Sequence, residues 1–137
     1  LNVKYYYKGT SFRLVEEENY NNLIDSIINR EGYRRGVISI IFTSDKAILN
    51  LNKEFLNRDY FTDVLVFGDT FKNTVSGEVY ISIDRIRDNS EIYSEGDFSR
   101  EIKRVIIHGI LHLIGYEDKS DRERELMTNK ENFYLNS

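Results

Sequence analysis

Apolar and polar residues recur along this chain with two different periods, and the switches between them mark the elements. Residues 3–8 and 12–15, either side of Gly9, read as extended segments that pair with each other or form one bent strand. From Glu16 onward Tyr20, Leu23, Ile24, Ile27 and Ile28 fall at helical spacing, and Gly32 stops that helix. Residues 37–43, VISIIFT, form a continuous β-branched run, as a strand buried on both faces requires. Ser44 is placed to cap a second helix with Ala47, Ile48, Leu51 and Phe55 turned inward. Two short strands follow, 63–67 (DVLVF) and 78–82 (EVYIS), separated by a polar loop with Gly68 and Gly77. A helical stretch carries Ile83, Ile86 and Ile92 to Gly96, and Asp97 or Ser99 opens the next helix. The last helix begins at Ser120, where Ser120 and Glu123 make an S-x-x-E capping box, and runs through Leu126, Met127, Phe133 and Tyr134.

Strands alternating with helices give an α/β or α+β class, with about four strands and helices packed on them. At 137 residues, with no internal repeat, low-complexity tract or Gly/Ser linker, the chain reads as one domain over 1–137. It has no cysteine, which excludes disulfides and thiolate sites, so any metal must be held by His, Asp or Glu. No apolar stretch approaches the ~20 residues that span a bilayer. The opening LNVKYYYKGTSFRLVEEE also lacks the apolar region of a signal peptide, so the expectation is a soluble cytoplasmic protein with no membrane partner. A net charge of −4 argues against indiscriminate nucleic-acid binding. The basic groups Arg30, Arg34 and Arg35, Arg85 and Arg87, and Arg100, Lys103 and Arg104 read first as solvated helix faces. Oligomeric state stays open, since Tyr5, Tyr6 and Tyr7 suit either a pairing edge or a simple sheet position.

The candidate chemistry lies in one stretch. Ile102, Val105, Ile106, Ile110 and Leu113 make an apolar stripe that Ile107, Leu111 and Ile114 widen, so this helix is mostly buried. It carries both histidines of the chain, His108 and His112, one turn apart and on the same side. Gly115 can end the helix and turn the chain back, which brings Asp118 toward the two imidazoles. Histidines on an apolar helix also serve as core residues bonded to backbone or acids. The i, i+4 pair, the helix-ending glycine and the carboxylate together favour a metal site of His108, His112 and Asp118. The pattern H-x3-H-x2-G-x2-D has the spacing of the metzincin zinc site. Gly109 stands where those proteases keep their catalytic glutamate, and Asp118 stands where they keep a third histidine. Two histidines and one carboxylate form a known catalytic zinc set, while loss of the glutamate speaks against proteolysis.

HGILHLIGYED, residues 108–118, resembles the signature of the YbeY family, the endoribonuclease and ribosomal-RNA maturation factors. LNKEFLNRDYFTDVLVF (51–67) and GEVYISIDRI (77–86) resemble two further family segments, and Met127 with Glu131 falls at the family's M-x-x-x-E pair. The likeness covers about residues 37–134. It implies an α+β fold, a mixed sheet of about four strands packed with about five helices. It also implies one divalent ion, zinc as first choice, held on a central helix by His108, His112 and Asp118. The implied activity is metal-dependent cleavage of single-stranded RNA in 3′-end maturation of 16S ribosomal RNA and in ribosome quality control. The implied partners are ribosomal RNA, the small ribosomal subunit and its proteins. The family's functional arginine aligns with Leu56, and Arg58 sits two residues on.

For phosphodiester cleavage a cation must neutralise charge developing on the phosphate. Arg58 is the first candidate for that catalytic role, and Arg104, one turn before His108, is the second. Glu117, Asp59 and Asp63 are candidate proton carriers, although Thr62 and Asp63 equally suit a turn. Two other readings remain: a non-catalytic ribosome-assembly factor with a structural metal, and a generic metallohydrolase.

Overall fold

The computed structural model describes residues 3–60 and 62–137. Its elements run β1 (Lys4–Tyr7), α1 (Glu17–Arg30), β2 (Arg34–Thr43), α2 (Asp45–Leu56), β3 (Val64–Gly68), β4 (Thr74–Ser82), α3 (Ile83–Tyr93), α4 (Phe98–Ile114) and α5 (Asp121–Leu135). The strands form one sheet in the order β1-β2-β4-β3. β1 and β4 both run parallel to β2, and β3 runs antiparallel to β4. The sheet is therefore mixed and the class is α+β, with helices around four strands.

Alternation along β2 and β4 decides which face is core. Ile38, Ile40 and Phe42 with Val75, Val79 and Ile81 are wholly buried and join Ile24, Ile27 and Ile28 of α1 and the apolar stripe of α4. Ile41, Tyr80 and Leu65 are paired across three strands and point to the other face. α2 packs against β3 and β4, with Ile48 fully buried. α4 lies closest to the sheet at Gly109, where an added Cβ would stand 2.6 Å from Val79 Cγ1. The glycine that replaces the proteolytic glutamate is thus a packing residue, and it leaves no room for a side chain. Among the described residues, no helix is long and apolar enough to cross a membrane.

Three helix caps fall where the pattern placed them. Ser44 accepts from the Ala47 amide, Asp97 opens α4 by accepting from Arg100, and Ser120 and Glu123 form the complete capping box.

Other expectations need correction. Residues 12–15 are not a strand: Phe12 folds over the sheet end instead, with its ring 5.1 Å from Phe42 and 5.8 Å from Phe98. Spaced apolar side chains there anchor a loop rather than line a pleat. β2 begins at Arg34 and β4 at Thr74, earlier than the apolar runs, because polar residues pair across a register shift between Arg35 and Ile38. Gly77 belongs to β4 and not to the loop. At φ +148°, it sits where a Cβ would meet Phe67 O at 2.5 Å and Leu113 Cδ2 at 2.6 Å.

The inward set of α2 also differs. Phe55 is 60% exposed, while Asn52 is buried, with its Nδ2 donating to Tyr60 O at 2.9 Å. Ile92, Leu126 and Phe133 lie outside the core as well. The basic groups are not all solvated faces: Arg35 pairs with Asp25 at 2.5 Å and Arg85 with Asp45 at 3.0 Å. β1 is an edge strand. Its Tyr5 and Tyr7 hydroxyls donate to Asn21 and Glu17 of α1, and Tyr6 points outward.

Candidate metal centre

The site grows out of a polar seam on an otherwise buried helix. Glu101, Arg104, His108 and His112 follow one another at spacings of three, four and four residues, so all face the same side of α4. Beyond them the helix closes at Gly115, whose φ of +129° few other residues tolerate, and the Tyr116 amide bonds back to Leu111 O at 3.0 Å. That reversal carries Asp118 up beside the imidazoles, as the spacing predicted.

Three donor atoms meet there. His108 Nε2 and His112 Nε2 are 3.0 Å apart, and Asp118 Oδ2 lies 3.2 Å from His112 Nε2 and 3.5 Å from His108 Nε2. Three ligands of a tetrahedral ion at ~2.0–2.2 Å stand ~3.3–3.6 Å from one another, so the triangle, with edges of 3.0, 3.2 and 3.5 Å, opens by a few tenths of an ångström at two edges to take a small divalent cation. The contact behind His108 suits the same use. His108 Nδ1 is 2.6 Å from Glu131 Oε2, a carboxylate contact that orients the ring and turns Nε2 toward His112 and Asp118. His108 Nε2, His112 Nε2 and Asp118 Oδ2 converge on one point, each offering one donor atom to an ion held there. The donor set therefore fits a metal ion.

Glu131 is held in turn. Arg104 Nη1 donates to Glu131 Oε1 at 3.1 Å, and its Nε and Nη2 donate to the two oxygens of Glu101 at 2.9 and 2.5 Å. Glu101 is fully buried and also accepts from Ser94 Oγ at 2.9 Å. Burial alone would lower the Arg104 pKa, yet Glu101, Glu131 and Asp63 outweigh it and raise it above the ordinary value. Arg104, expected as a phosphate-facing cation, is thus turned toward carboxylates one step behind His108. It lines a neighbouring hollow with Arg85, Asn89 and Thr128 rather than the cleft over the histidines.

That cleft, of about 490 Å³, has His108, His112 and Asp118 on its floor and Leu56, Arg58, Tyr60, Thr62, Glu117 and Lys119 among its walls. Arg58 is exposed and follows Asn57, whose left-handed backbone (φ 54°) ends α2. Its amide donates to Asn52 O at 3.0 Å, and the Asn52 side chain holds Tyr60, so one buried residue fixes both arms of the loop. Leu56 and Arg58 line the same cleft despite their two-residue offset, because the helix stops between them. Of the candidate proton carriers, Glu117 and Asp63 line the cleft, while Asp59 pairs with Lys53 at 3.4 Å. Thr62 closes a local turn, its hydroxyl donating to Val64 O at 3.4 Å.

Sequence reasoning assigned no role to Glu101 or Glu131. The polar seam of α4 was the available signal for Glu101. Glu131 was visible only through its spacing from Met127 in α5.

The same architecture recurs in a solved structure, and the sequence is similar to that of named endoribonucleases. The solution structure of TM1509 from Thermotoga maritima superposes with a TM-score of 0.66 over 97% of this chain and 86% of that one, at 28% identity. Endoribonuclease YbeY of Christiangramia forsetii is 40% identical over 126 residues, 92% of this chain and 87% of the relative. Endoribonuclease YbeY of Flavobacterium psychrophilum is 42% identical over 120 residues, 88% of this chain and 85% of that protein. The family model described as Endoribonuclease YbeY matches residues 6–137, nearly the whole length over which the site and its supports are built. The chain belongs to the YbeY family.

Proposed function

We propose that this protein is a metal-dependent, single-strand-specific endoribonuclease that acts in the cytoplasm on the 3′ end of small-subunit ribosomal RNA and in ribosome quality control. The observation that carries the reading is the triangle of His108, His112 and Asp118 on the floor of a cleft with Arg58 in its wall. The activity named for the relatives supports the nuclease step. The histidine side chains are 18% and 20% exposed, so the floor is recessed, which suits a flexible single strand better than a rigid duplex.

His108, His112 and Asp118 hold one divalent ion, with zinc the first choice. Bound there, the ion supplies Lewis acidity toward a phosphoryl oxygen and an acidified water. Glu131 keeps His108 in the tautomer that presents Nε2. Arg58 binds the phosphate and neutralises charge that develops on it. Glu117 and Asp63, which line the cleft, would carry the proton, Glu117 first because Asp63 also pairs with Arg104 and Asn89. Arg104 serves catalysis by holding Glu131. The partners are ribosomal RNA and the small ribosomal subunit with its proteins.

The test is zinc-loaded protein incubated with single-stranded and duplex RNA of one sequence. Cleavage of the single strand that disappears in His112→Ala is the expected result, and cleavage that survives in that variant refutes the assignment. Leu56 at the family's arginine position favours one second reading, an assembly factor with a structural ion. Wild-type protein that binds zinc and ribosomal RNA without cleaving would select it.

A further inference from the structure

A second polar cluster outside the cleft lies at the C-terminal end of α1. Glu31 is the C-cap of that helix, where the negative end of the helix dipole opposes a carboxylate, and its side chain is only 9% exposed. A carboxylate there requires partners. Glu31 Oε1 accepts from the Tyr116 hydroxyl at 2.5 Å, and Oε2 accepts from the Tyr134 hydroxyl and from Lys130 Nζ at 3.1 Å. Burial alone would raise the Glu31 carboxyl, but these donors outweigh it and hold it below its ordinary value. α1 does not need the cluster to end, since the Glu31 amide already bonds to the Asn29 and Ile27 carbonyls.

What the cluster reaches is the turn that carries Asp118. His108 and His112 project from a regular helix, whereas Asp118 stands three residues past Gly115, is 42% exposed and belongs to no element. Side chains from the end of α1 and from α5 tie that turn down, and Lys130 of α5 lies over the Tyr116 ring at 5.7 Å. Arg124 donates to the Asp118 and Lys119 carbonyls at 3.3 and 2.7 Å on the α5 side. Tyr116, between Gly115 and Asp118, is tied by Glu31 on the α1 side.

The geometry points to Glu31 as a positioning residue for the third metal ligand: through the Tyr116 hydroxyl it fixes the Gly115–Asp118 turn so that Asp118 Oδ2 meets the two imidazoles. This inference rests on the metal reading proposed above. Glu31 touches no ligand, so its effect on metal binding passes through Asp118 and vanishes when Asp118 is gone.

The test is a double-mutant cycle on zinc affinity, read by competition with a chromophoric chelator. It uses wild type, Tyr116→Phe, Glu31→Ala, Asp118→Ala and each double variant with Asp118→Ala. Amide hydrogen exchange is followed on the metal-free proteins. Tyr116→Phe keeps the ring and loses only the hydroxyl; it and Glu31→Ala each weaken zinc about tenfold. Neither adds more than about twofold once Asp118 is alanine. Exchange at residues 115–119 rises while the middle of α4 is unchanged.

Equal affinity of Tyr116→Phe and wild type, or the same loss in both backgrounds, overturns the inference. If Asp118→Ala binds zinc too weakly to compete, the exchange data decide: unchanged exchange at 115–119 overturns it, and raised exchange there together with the tenfold loss upholds it. Wild type that takes up no zinc removes the metal reading itself. Zinc binding that is weakened by Asp118→Ala and untouched by Tyr116→Phe removes this inference alone.

Discussion

His108 Nδ1 and Glu131 Oε2 stand 2.6 Å apart, joining a helix that begins at Phe98 to one that begins at Asp121. The contact decides which imidazole nitrogen faces the cleft. Replacing a carboxylate that orients a metal-bound histidine lowers metal affinity by about 10–100-fold. Glu131→Gln should therefore weaken zinc by that factor at unchanged stoichiometry, measured by chelator competition.

The pair Arg104 and Glu101 makes a different prediction, for stability. Glu101 is wholly buried and its charge is compensated chiefly by the Arg104 guanidinium. Removing one partner of such a pair costs about 3–5 kcal/mol, whereas replacing both by apolar residues is often close to neutral. Arg104→Met should lose about 3 kcal/mol in urea unfolding, less than the full penalty because Ser94 still donates to Glu101. The double variant Glu101→Met/Arg104→Met should recover only the part of the loss owed to Glu101, because Glu131 and Asp63 still lack the guanidinium.

On the proposed function, a variant at Arg58 separates binding of the ion from use of it. Arg58 is exposed, lines the cleft and touches none of the three ligands. Arg58→Ala should leave zinc stoichiometry unchanged and lower the single-turnover cleavage rate by about a hundredfold, the usual loss when one group that stabilises transition-state charge is removed. An unchanged rate would mean that another cation, such as Lys119 in the cleft wall, neutralises the phosphate.

Much of this was legible because the relevant signals are local. The i, i+4 histidines, the glycine that ends α4 and the caps at Ser44 and Ser120 each depend on residues within one or two turns, so spacing alone locates them. Strand ends were less legible: Arg34 and Thr74 enter the sheet through pairing with each other, which no single-strand pattern carries. The support of the site was least legible. Glu131 lies 23 residues beyond His108, and Glu31 lies 85 residues before Tyr116. A charged residue in a helix or at its cap reads as surface until the tertiary partner is known. Exposed apolar residues misled for the complementary reason, since Phe55 and Ile92 match a helical stripe that the fold rotates away from the core.

Gly109 tests why this helix lacks the proteolytic glutamate. Its missing Cβ lets α4 approach β4, and the atom that would clash belongs to the branched side chain of Val79. Overpacking of this kind costs about 1–3 kcal/mol. Gly109→Ala should lower unfolding free energy by that amount, and Val79→Ala in the same chain should remove part of the deficit. A Gly109→Ala protein as stable as wild type would show that α4 can shift on the sheet.

The acid limb of stability should carry the mark of Glu31. Its carboxyl is held below the ordinary value of 4.5 by Tyr116, Tyr134 and Lys130, against the opposing effect of burial. Between the unfolded value and the lowered folded one, the unfolded chain binds more protons at this position than the native chain does. Stability from Glu31 is therefore fully present above about pH 5 and drains away as pH falls through the folded pKa. Glu31→Gln keeps the shape and has no such limb. The difference in unfolding free energy between wild type and Glu31→Gln should be largest near pH 7 and should shrink toward pH 3. A difference that stays constant over that range would mean that the protonated carboxyl is held as well as the carboxylate, and that charge at position 31 contributes nothing to stability.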